Sequence, residues 1–338
     1  MDWLLDKLGF RKLHEVGITG KGVKVVVADT GVYSSHPMLY GKVKGEVSFV
    51  PDEPVTDLCG HGTSVASIIA CLAPDADIYS VKVLDKDGHG DLGWILHAYD
   101  YSISIGADVM NMSLGSPINC CVSSIAMAHY RAVSYGVIPV YAVGNYGAGR
   151  VSCPAMVWGS VSVGSSNLDG DPASFSSCGA GCLGDPKPLC MEYGGGDDYC
   201  ILTAWSPESV LFRSETVCIR GTSQATPIFS SIVALTVQMM RDKEGVKPNN
   251  NDIVSWAYQS TGTRVRCGGA GVVDAYRYVI TAKSVGVGTW FLARFLEGLR
   301  SLITNKDVLK SILMFTPAPW YIKAIIYSHI VGGGGGHS

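Results

Sequence analysis

No uncharged apolar run in this chain reaches the about 20 residues that a membrane-spanning helix needs. Charge is sparse as well. Only 16% of the 338 residues are Asp, Glu, Lys or Arg, the formal net charge is -3, and no Lys/Arg cluster stands out. Neither a nucleic-acid face nor a strong attraction to anionic membrane is therefore expected. Met1-Asp2-Trp3 and the charge-bearing stretch 4–13 lack the apolar core of a secretory signal. The chain thus reads either as made without export or as a mature fragment carrying a Met. There are no internal repeats, and a hydrophobic content of 47% excludes a disordered polypeptide.

What the chain has in quantity is glycine, at 41 residues, and cysteine, at 11. The odd count leaves at least one thiol unpaired in any intramolecular scheme. Such usage suits an oxidising compartment or a hyperthermophile cytoplasm. Buried free thiols are the plainer alternative. The expectation is disulfides for at least two pairs.

Short apolar runs alternate with helix-length segments. Residues 23–28, 78–83, 109–112, 137–142 and 161–164 read as buried strands. Residues 64–72, 93–105, 123–135, 223–241 and 251–259 read as helices. This alternation predicts an α/β fold, three layers α/β/α with a mostly parallel central sheet. Two segments break the rhythm. Residues 178–200, rich in Gly, Cys, Pro and Asp, read as a surface insertion in a catalytic domain spanning 1–283. Residues 284–331 read as a helical extension. There Leu292, Phe295, Leu296, Leu299, Leu302 and Ile303 share one helical face, opposite Arg294, Glu297 and Arg300. Packing on the domain is its expected role, with partner docking as an alternative; few cations argue against membrane binding. Residues 332–338 read as a linker remnant.

Three stretches carry the chemistry: Ala28-Asp29-Thr30-Gly31-Val32, Gly60-His61-Gly62-Thr63-Ser64 and Gly221-Thr222-Ser223-Gln224-Ala225-Thr226-Pro227. Each lies at an end of an α/β element, where ligands tend to bind. A serine hydroxyl needs a base to take its proton, and the base needs an orienting carboxylate. Imidazole titrates near neutrality, which suits His61 as that base. Ser223 at a helix start has unpaired N–H groups beside it. Taken singly, each residue has a plainer reading as a turn, cap or helix-end residue; taken together they form a triad.

These blocks resemble the signatures of the subtilases, in the same Asp, His, Ser order. Val81–Asp85 (VKVLD) with Gly88-His89-Gly90, then Asn111-Met112-Ser113-Leu114-Gly115, Ala142-Val143-Gly144-Asn145 and Gly271-Val272-Val273-Asp274-Ala275 resemble further blocks of that family. The resemblance covers roughly residues 14–280. It implies a serine endopeptidase in which Asp29, His61 and Ser223 are catalytic and Asn145 stabilises the oxyanion. A peptide would lie extended between Gly88, His89, Gly90 and Ser113, Leu114, Gly115. The pocket before the scissile bond would be walled by residues 113–115 and by Ala142, Val143 and Gly144, with Ser152 at its floor. Leu92 and Leu114 would line a further apolar pocket. With no charge among them, these residues predict apolar or neutral side chains before the cleaved bond.

Departures from the family are local. Ser64 replaces a second histidine, Gln224 a common Met, and Ile228 a common His. The Asn-rich calcium loop after the His61 helix is missing, so no metal site is expected there and no organic cofactor is implied. Asp169, Asp171, Asp197 and Asp198 are the alternative calcium cluster. The family's propeptide also has no counterpart before the first signature. Cys178, Cys182, Cys190 and Cys200 lack zinc-knuckle spacing, so one or two disulfides are expected, with Cys218 as a tether. A thiol at Cys59, beside His61, would confer sensitivity to mercurials. Protein or peptide substrates are the expected partners. The alternative function is a catalytically limited subtilase scaffold used for binding or self-processing, but no triad member is lost.

Overall fold

The computed structural model describes residues 1–287, which form one compact unit. The expected amphipathic helix and the glycine-rich end lie outside the described residues. The centre is a seven-stranded sheet. In chain order its strands are β1 (Lys24–Asp29), β2 (Val43–Ser48), β3 (Asp77–Lys82), β4 (Val109–Met112), β5 (Ile138–Ala142), β6 (Val161–Ser165) and β9 (Cys190–Glu192). They lie in the order β2-β3-β1-β4-β5-β6-β9, and every pairing is parallel.

Alternate residues of each strand feed opposite faces. Val25 and Val27 join a core with Ile68, Phe229 and Ile232. Val26 and Ala28 join a second core with Tyr99 and Ala132. The first face is covered by α3 (His61–Leu72), α6 (Thr222–Glu244), α7 (Asn250–Thr261) and α8 (Ala275–Val285). The second is covered by α4 (Leu92–Ser104) and α5 (Ser124–Ser134). Two short helices, α1 (Asp2–Lys7) and α2 (Phe10–His14), pack against the first face through Leu4, Phe10 and Leu13.

Helix α6 is buried along most of its length despite many hydroxyls. Thr226, Ser231 and Thr236 each donate back to the carbonyl four residues earlier, at 2.7–2.8 Å, so the buried oxygens are satisfied. Pro227 sits inside this helix and has no N–H to give the Ser223 carbonyl. That carbonyl accepts instead from the Ser113 hydroxyl at 2.8 Å.

The segment expected to be a surface insertion is only partly one. Leu189, Cys190 and Met191 are buried, and residues 190–192 form the seventh strand. Its glycine- and cysteine-rich flanks hide a three-residue strand, Cys190–Glu192, too short to show periodicity. None of its four cysteines pairs with another of them. The disulfides are Cys120–Cys153, Cys121–Cys182, Cys178–Cys267 and Cys200–Cys218; Cys59, Cys71 and Cys190 are free thiols. The last bridge ties together an antiparallel hairpin, β10 (Ile201–Ala204) and β11 (Thr216–Ile219). A remaining pair, β7 (Gly179–Ala180) and β8 (Pro186–Lys187), forms a small ribbon. Among the described residues no helix is long and apolar enough to cross a membrane.

Candidate active site

Asp29 ends β1, the strand beside the middle of the sheet, and is fully buried. His61 opens α3, and its Nδ1 lies 2.7 Å from Asp29 Oδ1. The same carboxylate oxygen accepts the Thr30 N–H at 2.8 Å. The close approach of the two elements depends on Gly62. A Cβ there would fall inside the Gly31 carbonyl oxygen. Burial pushes the His61 imidazole down, but the charge and hydrogen bond of Asp29, aided by Asp57, prevail and hold it above the usual 6.5.

Asp57 is the residue that sequence reasoning missed. It is fully buried and accepts five hydrogen bonds. Thr30 Oγ1 donates from one side at 2.9 Å. Cys59 N, Gly60 N, Thr63 N and Thr63 Oγ1 donate from the other, at 2.6–3.0 Å. One carboxylate thus clamps the residue after Asp29 to both flanks of His61 and caps α3. The sequence signal was an acid four residues before a helix-opening His, in a loop otherwise read only for its cysteine.

Ser223 is the second residue of α6, so its N–H has no intrahelical partner. Its hydroxyl donates to the Ser113 carbonyl at 2.9 Å, reciprocating the bond from the Ser113 hydroxyl. No hydrogen bond joins Ser223 Oγ to His61. Ser113 is held in turn by Asn111, whose amide donates to its hydroxyl at 3.0 Å and accepts from Ser230 at 2.8 Å. Asn145 Oδ1 accepts from both the N–H and the hydroxyl of Thr222, each at 3.0 Å. This fixes the amide orientation, leaving Nδ2 as a donor. A Cβ on Gly221 would approach that Nδ2 to 3.3 Å.

His61, Ser223 and Asn145 face one cleft of about 820 Å³. Gly88, His89, Gly90 and Leu92 line one side. Ser113, Leu114 and Gly115 line another, with Ala142 and Gly144. No Asp, Glu, Lys or Arg lines the cleft. Two expected lining residues stand one layer back. Val143 is turned into the second core. Ser152 is fully buried, its hydroxyl donating to the carbonyls of Ala142 and Val143 at 2.9–3.0 Å. Cys153 and Pro154 line the cleft in its place, on the bridge to Cys120. Cys59 also lines it, but burial pushes its thiol up to about 11, so it is neutral at ordinary pH.

Of the substitutions flanking the site, Ser64 is hydrogen-bonded, whereas Gln224 leaves its buried side-chain nitrogen without a partner among the described residues. Ser64 accepts the Thr203 hydroxyl at 2.9 Å, and Gln224 is buried behind Gly221. Among the described residues no group of three or more His, Cys, Asp or Glu could hold a metal ion. Asp197 is engaged by Ser174 and Asn167 rather than by other acids.

A parallel α/β sheet carrying a serine, a histidine and an aspartate at the ends of its elements is an arrangement of the kind that serves a catalytic triad. The subtilase family model matches residues 20–272, and the chain belongs to that family. It is 36% identical over 259 residues to M-protease of Shouchella clausii, over 74% of this chain and 63% of that protein. The match to subtilisin Savinase of Lederbergia lenta has the same identity and covers 88% of that protein. A crystal structure of a lanthipeptide protease superposes with a TM-score of 0.67 at 25% identity, over 80% of this chain and 90% of the other. The chain thus spans somewhat under two thirds of M-protease and most of Savinase.

Proposed function

We propose that the protein is a serine endopeptidase that cleaves peptides through an acyl-enzyme. The observation that carries this is the Asp29–His61 pair at 2.7 Å, facing the same cleft as Ser223 and Asn145. Ser223 Oγ attacks the peptide carbonyl carbon as its proton passes to His61 Nε2. This requires the hydroxyl to leave the Ser113 carbonyl and turn to the imidazole, as apo serine sites often do only with substrate in place. Asp29 holds the tautomer and stabilises the imidazolium. Asn145 Nδ2 and the Ser223 N–H stabilise the oxyanion. His61 then protonates the departing amine, and water completes the cycle through the same base.

The uncharged walls at Ser113, Leu114, Gly115, Ala142 and Gly144 favour apolar or neutral side chains before the scissile bond. The test is fluorophosphonate labelling with peptide mapping, on wild type and Ser223→Ala. A label on Ser223 in the wild type alone is expected. Folded wild type that takes no label would overturn the hydrolase reading and leave a binding scaffold.

A further inference from the structure

We infer that the Lys82–Glu53 ion pair is a positioning device for the proposed reaction: it holds the 88–90 edge in register with the Asp29–His61 half of the triad. This rests on the endopeptidase reading. Neither residue lines the cleft, so the pair acts through the backbone it fastens. Lys82 ends β3 and lies beside Asp29, the last residue of β1, in the sheet. Its side chain has no exposed surface, and that of Glu53 is 15% exposed. A cation taken wholly out of water needs both a counter-charge and acceptors for its protons. The fold supplies them from the surroundings of the triad. The ammonium donates to the carbonyl of Thr30, the residue after Asp29, at 3.1 Å. It also donates to the carbonyl of Thr56, the residue before Asp57, at 3.2 Å. Its Nζ stands 2.9 Å from Glu53 Oε2.

The other oxygen of the same carboxylate reaches the substrate edge. Glu53 Oε1 accepts the Lys86 N–H at 3.2 Å, in the turn that leads to Gly88, His89 and Gly90. That turn is closed on itself. Asp85 Oδ1 accepts the N–H groups of Asp87 and His89 at 2.8–2.9 Å, and the Asp85 N–H donates to the His89 carbonyl at 2.8 Å. At its root, Val83 N–H and Leu84 N–H donate to the Asp29 carbonyl at 2.8 and 3.1 Å. The edge is therefore attached at two points. The root bonds fix its place, and the Glu53 bond near the tip fixes its tilt. The second attachment is only as firm as the 53–57 loop behind it. That loop lies so close to the triad backbone that a Cβ on Gly31 would stand 2.7 Å from the Val55 carbonyl oxygen. Lys82 thus joins in one buried ammonium the residue after Asp29, the residue before Asp57 and, through Glu53, the strand edge that would carry the peptide.

The experiment uses the full chain as wild type, Glu53→Ala and Glu53→Gln. Glutamine keeps an acceptor for the Lys86 N–H but gives the ammonium no counter-charge. Acylated p-nitroanilides carry either a single apolar residue before the bond, which reaches only the pocket, or four residues, which also reach the edge. A fluorophosphonate reads the triad without the edge. The expected result is a kcat for the long substrate about ten- to a hundredfold lower in Glu53→Ala, because its carbonyl is presented slightly off line. Glu53→Gln shows the same effect at smaller size. Turnover of the short substrate and the rate of labelling stay at their wild-type values. A rise in KM alone would mean a loosened edge rather than a lost register. An equal fall for both substrates and the label would mean a disturbed triad. Either result, or no change at all, would overturn this inference alone. Wild type that takes no label and turns over neither substrate would overturn the endopeptidase reading and this inference with it.

Discussion

Asp57 ties the segment that carries Asp29 to the one that carries His61, and it does not line the cleft. It is a positioning residue, and its charge adds to the larger effect of Asp29 in raising the His61 pKa. In Asp57→Asn the amide cannot accept all five donors, so kcat/KM falls by about tenfold or more. A merely structural role would lower the rate alone. The loss of a charge that raises the imidazole pKa also moves the acid limb of the pH–kcat/KM profile to lower pH, because His61 must be neutral to act. Asn145→Ala is expected to lower kcat by about 10²–10³ with little change in KM, the range known for oxyanion donors of subtilisin. Asp29, His61, Ser223 and Asn145 were readable because each sits in a short block whose residue types the chemistry demands. Val143 and Ser152 were not. Which of two adjacent residues faces a pocket depends on how the chain leaves β5, and a run of small residues does not record that.

At the scale of elements, the long buried runs β1, β4, β5 and β6 were legible from apolar continuity, and α3 to α7 from helical spacing. The short or mixed elements α1, α2, β2 and β9 were not, because their identity comes from packing rather than pattern. The hairpin β10–β11 was equally hidden. Its strands are only four residues each, one mostly buried and the other half-buried to exposed, too short to show a period. Its bridge closes 18 residues of chain, which in a chain-entropy picture stabilises by about 3 kcal/mol. Cys218→Ala should therefore speed hydrogen exchange at 201–204 and 216–219 while amides of β1 and β4 stay protected. Equal loss of protection throughout would show that the hairpin does not open on its own.

For the whole molecule, Cys178–Cys267 joins segments 89 residues apart. A loop of that size corresponds to about 4–5 kcal/mol, so Cys267→Ala should lower Tm by roughly 10 °C in calorimetry. The sheet order also has a consequence in time. Asp29 lies in the first strand and His61 in the third helix, but Ser223 opens the sixth, after every strand of the central sheet. That helix must bury nearly its whole length against β4, β5, β6 and β9 before its hydroxyl meets the imidazole. A growing polypeptide on the ribosome therefore carries its acid and base while its nucleophile is still unmade. In the proposed endopeptidase the site is completed last, so a nascent chain has no hydrolytic capacity until residues 222–244 have been made and packed.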